Sequence, residues 1–404
     1  MRGSHADGFS MSRALADAKP QGLWMNWPEF LGYVIRLVIL GLLIFPPARR
    51  WFFLQNLSGL YLVAFTFLVA SLIVPLVQSI ALRYGVVDLP ASRKIHHLPT
   101  PLLGGVAVYA AFAIGVLYNF HFSLELKGVA LGGTLVLAIG VLDDIFNLRA
   151  SVKLAGHVAG ALIAVLYGVT LNLVPTSFPF ALLANGLLTI LWFAAITNAV
   201  QFLDGMDGLA AGLGVFSSFF FGVVAAQTDQ FHLMYLAAAL LGASFGFLPY
   251  NFRPHSSAAI FLGDGGSSFI GFTLAGLAVM GEWADHSDPL VALATPLLIL
   301  AVPVFDICYV SVNRMITGKV HSFHEWLAYV GKDHIHHRFQ ALGLSKSQTV
   351  LLIHFLSVAL GISALLLKGA HLYEAFLLII QATAVFFIIV ILETAGRHPP
   401  SNSH

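Results

Sequence analysis

The feature that most constrains this chain is a succession of long apolar runs, each closed by a short polar, glycine or proline break. A transmembrane helix needs roughly 20 mostly apolar residues. Eleven stretches meet that need, at about 57–81, 103–120, 128–142, 154–171, 181–200, 208–227, 232–249, 266–281, 289–312, 348–367 and 373–393. A twelfth, Leu31 to Phe45, is shorter and carries Arg36. It reads as a short span, an interfacial helix or an anchor. The expected fold class is therefore all-α: a polytopic integral membrane protein of about eleven transmembrane helices with an extra N-terminal hydrophobic helix. The expected parts are a tail and extra segment at 1–56, a membrane-embedded domain at 57–394 and a polar tail at 395–404.

Composition agrees. Charged residues make up 10% of the 404 positions, against about 25% in an ordinary soluble protein. That excludes soluble-enzyme, disordered and DNA-binding classes and leaves no nucleic-acid partner. The single Cys308 rules out a disulfide framework or a cysteine-based zinc site.

Charge is costly in a bilayer, so its placement is informative. One set of loops holds Arg83, Arg93, Lys94, Arg149, Lys153, Arg253, Arg314, Lys319, Lys332, Arg338, Lys346 and Arg397. The opposite set holds Lys127 and Lys368. The positive-inside rule then places the first set in the cytoplasm. Arg49 and Arg50 fall on the outer side and resist the scheme.

Five polar patches lie on that inner face. Ser92 to Gly105 clusters base with Pro-Thr-Pro and Gly-Gly steps, suiting either lipid headgroups or a shaped loop that contacts an anion. Asp143 and Asp144 close an apolar helix, where negative charge opposes the helix dipole. Neighbouring helical positions diverge by about 100°, so the pair is expected to divide roles, one toward a cation and one toward a proton. Asn198, Gln201, Asp204 and Asp207 form an oxygen-rich group of the kind hard cations accept, with glycines that admit a ligand close to the backbone. Gly263-Asp264-Gly265-Gly266-Ser267 runs into a span, and such a turn favours phosphate when its Asp holds Mg²⁺. Lys332 to Phe339 carries His334, His336, His337 and Arg338, an anion clamp or, less well supported, a metal site.

Carboxylates, a cation site, a glycine turn and a basic loop together suit a nucleotide diphosphate substrate and phosphoryl transfer, in which charge neutralisation and positioning dominate. The site's place at a membrane surface points to a lipid acceptor.

In this order the patches resemble those of the polyprenyl-phosphate N-acetylhexosamine-1-phosphate transferases. The likeness runs from about residue 57 to about 390. It rests on Arg93-Lys94 to Gly105, Asp143-Asp144 with Leu148 and Lys153, Asn198 to Leu209, the Gly263 to Ser267 turn, and His334-Ile335-His336-His337-Arg338. The His-Ile-His-His-Arg form is similar to the branch that uses GlcNAc-1-phosphate. The resemblance implies a Mg²⁺ cofactor, with Mn²⁺ a substitute, and UDP-N-acetylhexosamine and undecaprenyl phosphate as substrates. It also implies a bacterial cytoplasmic (inner) membrane location with an inward-facing active site, membrane lipid as surroundings, and room for a homodimer.

Carried over by residue, Asp143 would be the base or orienter for the lipid phosphate. Asp144 would support the metal and Asp264 would be its principal ligand. Asn198, Asp204 and Asp207 would position the uridine diphosphate. Lys94, His334, His336, His337 and Arg338 would contact phosphates or sugar. The family usually has Asn where this chain has Gln201, at a position that looks like a metal ligand. Gln keeps the amide oxygen on a longer arm, so the metal geometry adapts or Gln201 is not a direct ligand. Two alternatives are UDP-MurNAc-pentapeptide as donor and a transporter. Transporters place polar groups near the midplane, unlike this chain.

Overall fold

In the computed structural model the described residues are 27–89, 99–119, 123–283, 289–322, 325–326, 329, 331–367 and 369–396. They form helices α1 (Trp27–Ile44), α2 (Pro46–Leu54), α3 (Ser58–Tyr84), α4 (Gly104–Asn119), α5 (Leu124–Phe146), α6 (Ala150–Leu166), α7 (Ala181–Phe202) and α8 (Leu209–Gln227). There follow α9 (Phe231–Asn251), α10 (Gly263–Met280), α11 (Pro289–Ile299), α12 (Ala301–Ile316), α13 (Ile335–Ala341), α14 (Lys346–Leu365) and α15 (Leu372–Gly396).

Every segment expected to span is helical, but the count changes. Among the described residues eight helices are long and apolar enough to cross a membrane, and nine if α11 and α12, bent by 81° at their junction, are one span. The chain is a multi-pass membrane protein. Helices α4 and α6, of 16 and 17 residues, and the Gly/Ser-rich α10 fall outside that set. Helices α4 and α6 are apolar but fall short in length, whereas in α10 the glycines, serines and Asp264 lower the hydropathy.

Helix α10 is buried throughout from Gly265 to Ala278. Its glycines let neighbouring backbones approach, as small residues do in membrane helix packing. A Cβ on Gly140 of α5 would lie 2.5 Å from Gly265 Cα. A Cβ on Gly105 of α4 would collide with Gly266. The helices that carry the acidic patches are thus drawn onto one central element.

Ends are locally encoded. Ser123 caps α5 by accepting from the Leu126 amide, and Ser345 with Gln348 forms a capping box on α14. Asn147, in the left-handed region at φ 54°, stops α5 just after Asp143 and Asp144. A short hairpin, β1 (Val87–Asp88) with β2 (Thr100–Pro101), pairs Val87 with Pro101 and Asp88 with Thr100. Phe261 N then donates to Pro101 O at 2.8 Å, so the chain entering α10 is laid along the hairpin.

The Leu31 to Phe45 segment is helix α1, 18 residues long and apolar enough to span. Arg49, which resisted the charge scheme, stacks over the rings of Phe53 and Tyr118, the latter at the end of α4. A cation–π partner gives this residue a local reason for its place.

Candidate active site

Most of the acidic patches meet in one cavity of about 640 Å³. Asp143, Asp144, Asp204, Asp207, Asp264 and His337 all line it, together with Asn147, Asn251 and Lys346. With Asp88, six carboxylates from four separate stretches of chain line one concave space.

The adjacent Asp143 and Asp144 point to different partners. Asp143 Oδ1 accepts from the Leu148 amide at 2.6 Å, and Oδ2 from Lys153 Nζ at 2.9 Å. Asp144 instead reaches α10: Oδ1 accepts from the Asp264 amide at 2.9 Å and Oδ2 from the Gly265 amide at 3.2 Å. This answers the dipole conflict at the end of α5. Asp144 sits at one helix's C-terminus but caps the N-terminus of another, where its charge is favoured. The cap requires glycine at 263, where φ is +77° and a Cβ would lie 2.6 Å from Asp144 Oδ2.

Lys153 is the hub. Its Nζ lies 2.9 Å from Asp143 Oδ2 and 2.7 Å from Asp264 Oδ2. Gln201 Nε2 donates to the same Asp264 oxygen at 2.5 Å. Sequence reasoning had placed Lys153 among the basic loop residues and the family motif, without a site role. The available signal was an ammonium one turn into an apolar helix, soon after two carboxylates. The deep setting of Asp204 pushes its carboxyl well above the usual range, and the charges of Asp264, Asp144 and Asp207 act in the same direction.

Other expected residues lie elsewhere. Asn198 faces the interior, donating to Ala194 O at 2.7 Å beside His157 Nδ1 at 3.1 Å. His334 Nδ1 lies 2.7 Å from Asp306 Oδ2, and Asp306 Oδ1 accepts from the Ile335 amide at 2.6 Å. The His334 and His336 rings are stacked with centroids 6.1 Å apart and do not converge on one metal position. His336 is buried, and a Cβ on Gly205 would meet its Nε2 at 2.5 Å. Arg338 is buried against Glu393 Oε1, with Nη2 at 3.0 Å, and lies 3.9 Å from the Tyr309 ring centroid. Of these four residues His337 lines the cavity, whereas His334, His336 and Arg338 are buried among protein partners. Asp306 accepts from the Ile335 amide at the start of α13. At about 100° per residue the next positions diverge: His336 packs against Gly205, His337 faces the cavity and Arg338 meets Glu393. Burial and the nearby His334 and Lys332 push the His337 pKa below its usual value. Lys94 lies outside the described residues.

Asp306 was missed because it lies inside an apolar run. It is fully buried, and it docks the inner loop by bonding both a ring and a helix N-terminus. Arg314 adds a second clamp, donating from Nε and Nη2 to Asp333 at 2.8 and 2.7 Å.

The donor set bears on a metal. Among the described residues no three His, Cys, Asp or Glu side chains form a closed metal cage. Mg²⁺ is ordinarily held by one or two carboxylates, with water and substrate phosphates completing its shell. Asp264, with the Gln201 amide 2.5 Å away and five other carboxylates around the cavity, fits that open kind of site.

The cavity thus gathers carboxylates among the helices of a multi-pass membrane protein, with the Lys153 ammonium fixed between Asp143 and Asp264. The profile of glycosyl transferase family 4 matches residues 126–282. The chain is 32% identical over 335 residues to the probable undecaprenyl-phosphate N-acetylglucosaminyl 1-phosphate transferase of Bacillus subtilis, covering 81% of this chain and 90% of that one. It is 32% identical over 310 residues to the decaprenyl-phosphate N-acetylglucosaminephosphotransferase of Mycolicibacterium smegmatis, covering 69% and 74%. It is 28% identical over 328 residues to the undecaprenyl-phosphate alpha-N-acetylglucosaminyl 1-phosphate transferase of Escherichia coli, covering 80% and 87%. The chain belongs to glycosyl transferase family 4.

Proposed function

We propose that this chain transfers a sugar-1-phosphate, GlcNAc-1-phosphate foremost, from a UDP-sugar to undecaprenyl phosphate, initiating a cell-envelope glycan. An oxygen of the lipid phosphate attacks the sugar-bearing phosphorus, the bond to the bridging oxygen breaks, and UMP leaves. The observation that carries the reading is the convergence of Asp143, Asp144, Asp204, Asp207 and Asp264 with Lys153 at one cavity. Its volume of about 640 Å³ suits a small-molecule donor. The similar transferases of Bacillus subtilis and Escherichia coli point to the polyprenyl phosphate and the N-acetylglucosamine.

Asp264, with Gln201 beside it, would hold Mg²⁺, and the ion would neutralise diphosphate charge. Lys153 contributes a fixed positive charge between Asp143 and Asp264. Asp143 orients the acceptor phosphate. Both its oxygens are already engaged by Leu148 N and Lys153, which favours direct attack by the lipid over an aspartyl intermediate. Asp204 and Asp207 position the nucleoside end. The twelve-to-two bias of Lys and Arg supports a bacterial inner membrane location with the cavity facing the cytoplasm.

The test is transfer of radiolabel from UDP-GlcNAc to added undecaprenyl phosphate by the purified chain, with UDP-MurNAc-pentapeptide in parallel. A Mg²⁺-dependent lipid product and UMP are expected from UDP-GlcNAc. No lipid product from it, or product only from the pentapeptide donor, refutes the reading. UMP exchange into UDP-GlcNAc without lipid would overturn direct attack.

A further inference from the structure

Helix α1 lies ahead of the segments that carry the family likeness, and only 6% of it is buried. Between Glu29 and Arg49 it has one charged residue, Arg36. A charge in an apolar, lipid-facing helix costs at least about 2.5 kcal/mol on insertion scales and asks for a compensating contact. Arg36 has one across the bundle: Nη1 donates to the Tyr250 hydroxyl at 2.8 Å. Arg36, Leu40 and Leu43 recur at helical spacing on the face of α1 that turns inward, with Leu43 buried.

Tyr250 is the penultimate residue of α9, and that end of the helix is soft. Pro249 has no N–H to give the preceding turn. External bonds hold it instead. The Tyr250 hydroxyl donates to Ser71 O on α3 at 2.8 Å, and Tyr250 O accepts from Ala259 N at 2.8 Å. The next residue, Asn251, lines the cavity and is buried. Its Oδ1 accepts from Gly208 N at 2.7 Å, and its Nδ2 donates to Ile260 O at 3.0 Å. One side chain thus joins the turn that bears Asp204 and Asp207 to the segment that leads into Asp264.

We infer that α1 is a working part of the site: Arg36, through Tyr250, fixes the cavity-side end of α9, and Asn251 on that end sets the spacing of the two acidic walls. Arg36 and Tyr250 are positioning residues. Neither lines the cavity.

The inference uses the proposed transfer as one readout and has a second that is independent of it. In full-length protein, Arg36→Ala and Tyr250→Phe should each lower kcat/KM for UDP-GlcNAc by about tenfold, as loss of about 1.4 kcal/mol of positioning would. Arg36→Lys should recover part of the loss. The double variant should be no worse than the worse single one, because both cut the same link. Hydrogen exchange, read without turnover, should quicken over residues 203–209 and 250–262 in both single variants while the melting temperature holds. Two results would overturn the inference: unchanged exchange in those segments, or additive losses in the double variant. If Arg36→Ala fails to fold, the milder Tyr250→Phe carries the same test.

Discussion

Replacing Lys153 with Met removes the one ammonium that bridges Asp143 and Asp264 while keeping much of its apolar stem. Because both carboxylate oxygens touch the same Nζ, at 2.9 and 2.7 Å, they are close neighbours whatever the angle between them. Two charges within about 5.6 Å of each other repel by about 3 kcal/mol at an effective dielectric of about 20. Lys153 and Asp264 are partly exposed, at 25% and 32%, so solvent and salt reduce that figure. Each 1.36 kcal/mol off a barrier is about tenfold in rate, which sets the expected loss at about one to two orders of magnitude. The assay is transfer from UDP-GlcNAc to undecaprenyl phosphate across a Mg²⁺ titration, with folding followed by thermal melting in detergent. A second signature separates charge from packing. Extra divalent cation should recover part of the activity of Lys153→Met, because it meets the same excess of carboxylates. Activity within threefold of the parent at all Mg²⁺ levels would refute the role given to the ion triad.

Three further outcomes follow from the geometry. Gly140→Ala drives a Cβ against the Gly265 backbone at 2.5 to 2.6 Å; overpacking of about 1–3 kcal/mol is expected, with loss of activity as α10 is displaced, whereas Gly41→Ala, with nothing within 4 Å, should melt and turn over like the parent. Asp306→Ala strands the buried Ile335 amide and His334 ring, at about 1–3 kcal/mol for each unsatisfied group; a melting temperature within a degree of the parent would contradict the docking of the inner loop. Burial, with His337 and His334 nearby, holds the His336 pKa well below its usual value, so the unfolded chain takes up the proton first. The resulting stability is complete above the unfolded pKa of about 6.5 and is lost as pH falls below it. Melting curves from about pH 8 to pH 5.5 should show a shallower acid-side decline in His336→Leu than in the parent, and parallel curves would exclude His336 as a cause.

The inner-loop histidines show where sequence reading stops. Three His and an Arg in five positions look alike as a string, and phosphate or sugar contact is a fair expectation for each. Which of them face the cavity depends on where α13 starts. Its start is set by Asp306, some thirty positions earlier in an apolar run. Arg338 was expected at the substrate because arginine suits phosphate; its partner is Glu393, near the end of the last helix. Neither partner is close enough in sequence to leave a local pattern.

The sequence alone determined the membrane class and the helical elements. Those properties follow from hydropathy, which is local and additive, and from the cost of charge in a bilayer. It also marked Asp143, Asp144, Asp204, Asp207 and Asp264, because a carboxylate beside a span is conspicuous wherever it falls. The tertiary structure decided the division of labour. It set Asp144 on the N-terminus of α10, placed Lys153 between Asp143 and Asp264, and turned His336 and Arg338 inward. Among the described residues it has eight or nine helices that meet the length and apolarity requirement, and it buries the glycine-rich α10 among its neighbours. These are facts about pairs of residues far apart in the chain. They are fixed by which backbones approach closely enough to touch, and glycines on α4, α5 and α10 made that approach sterically open.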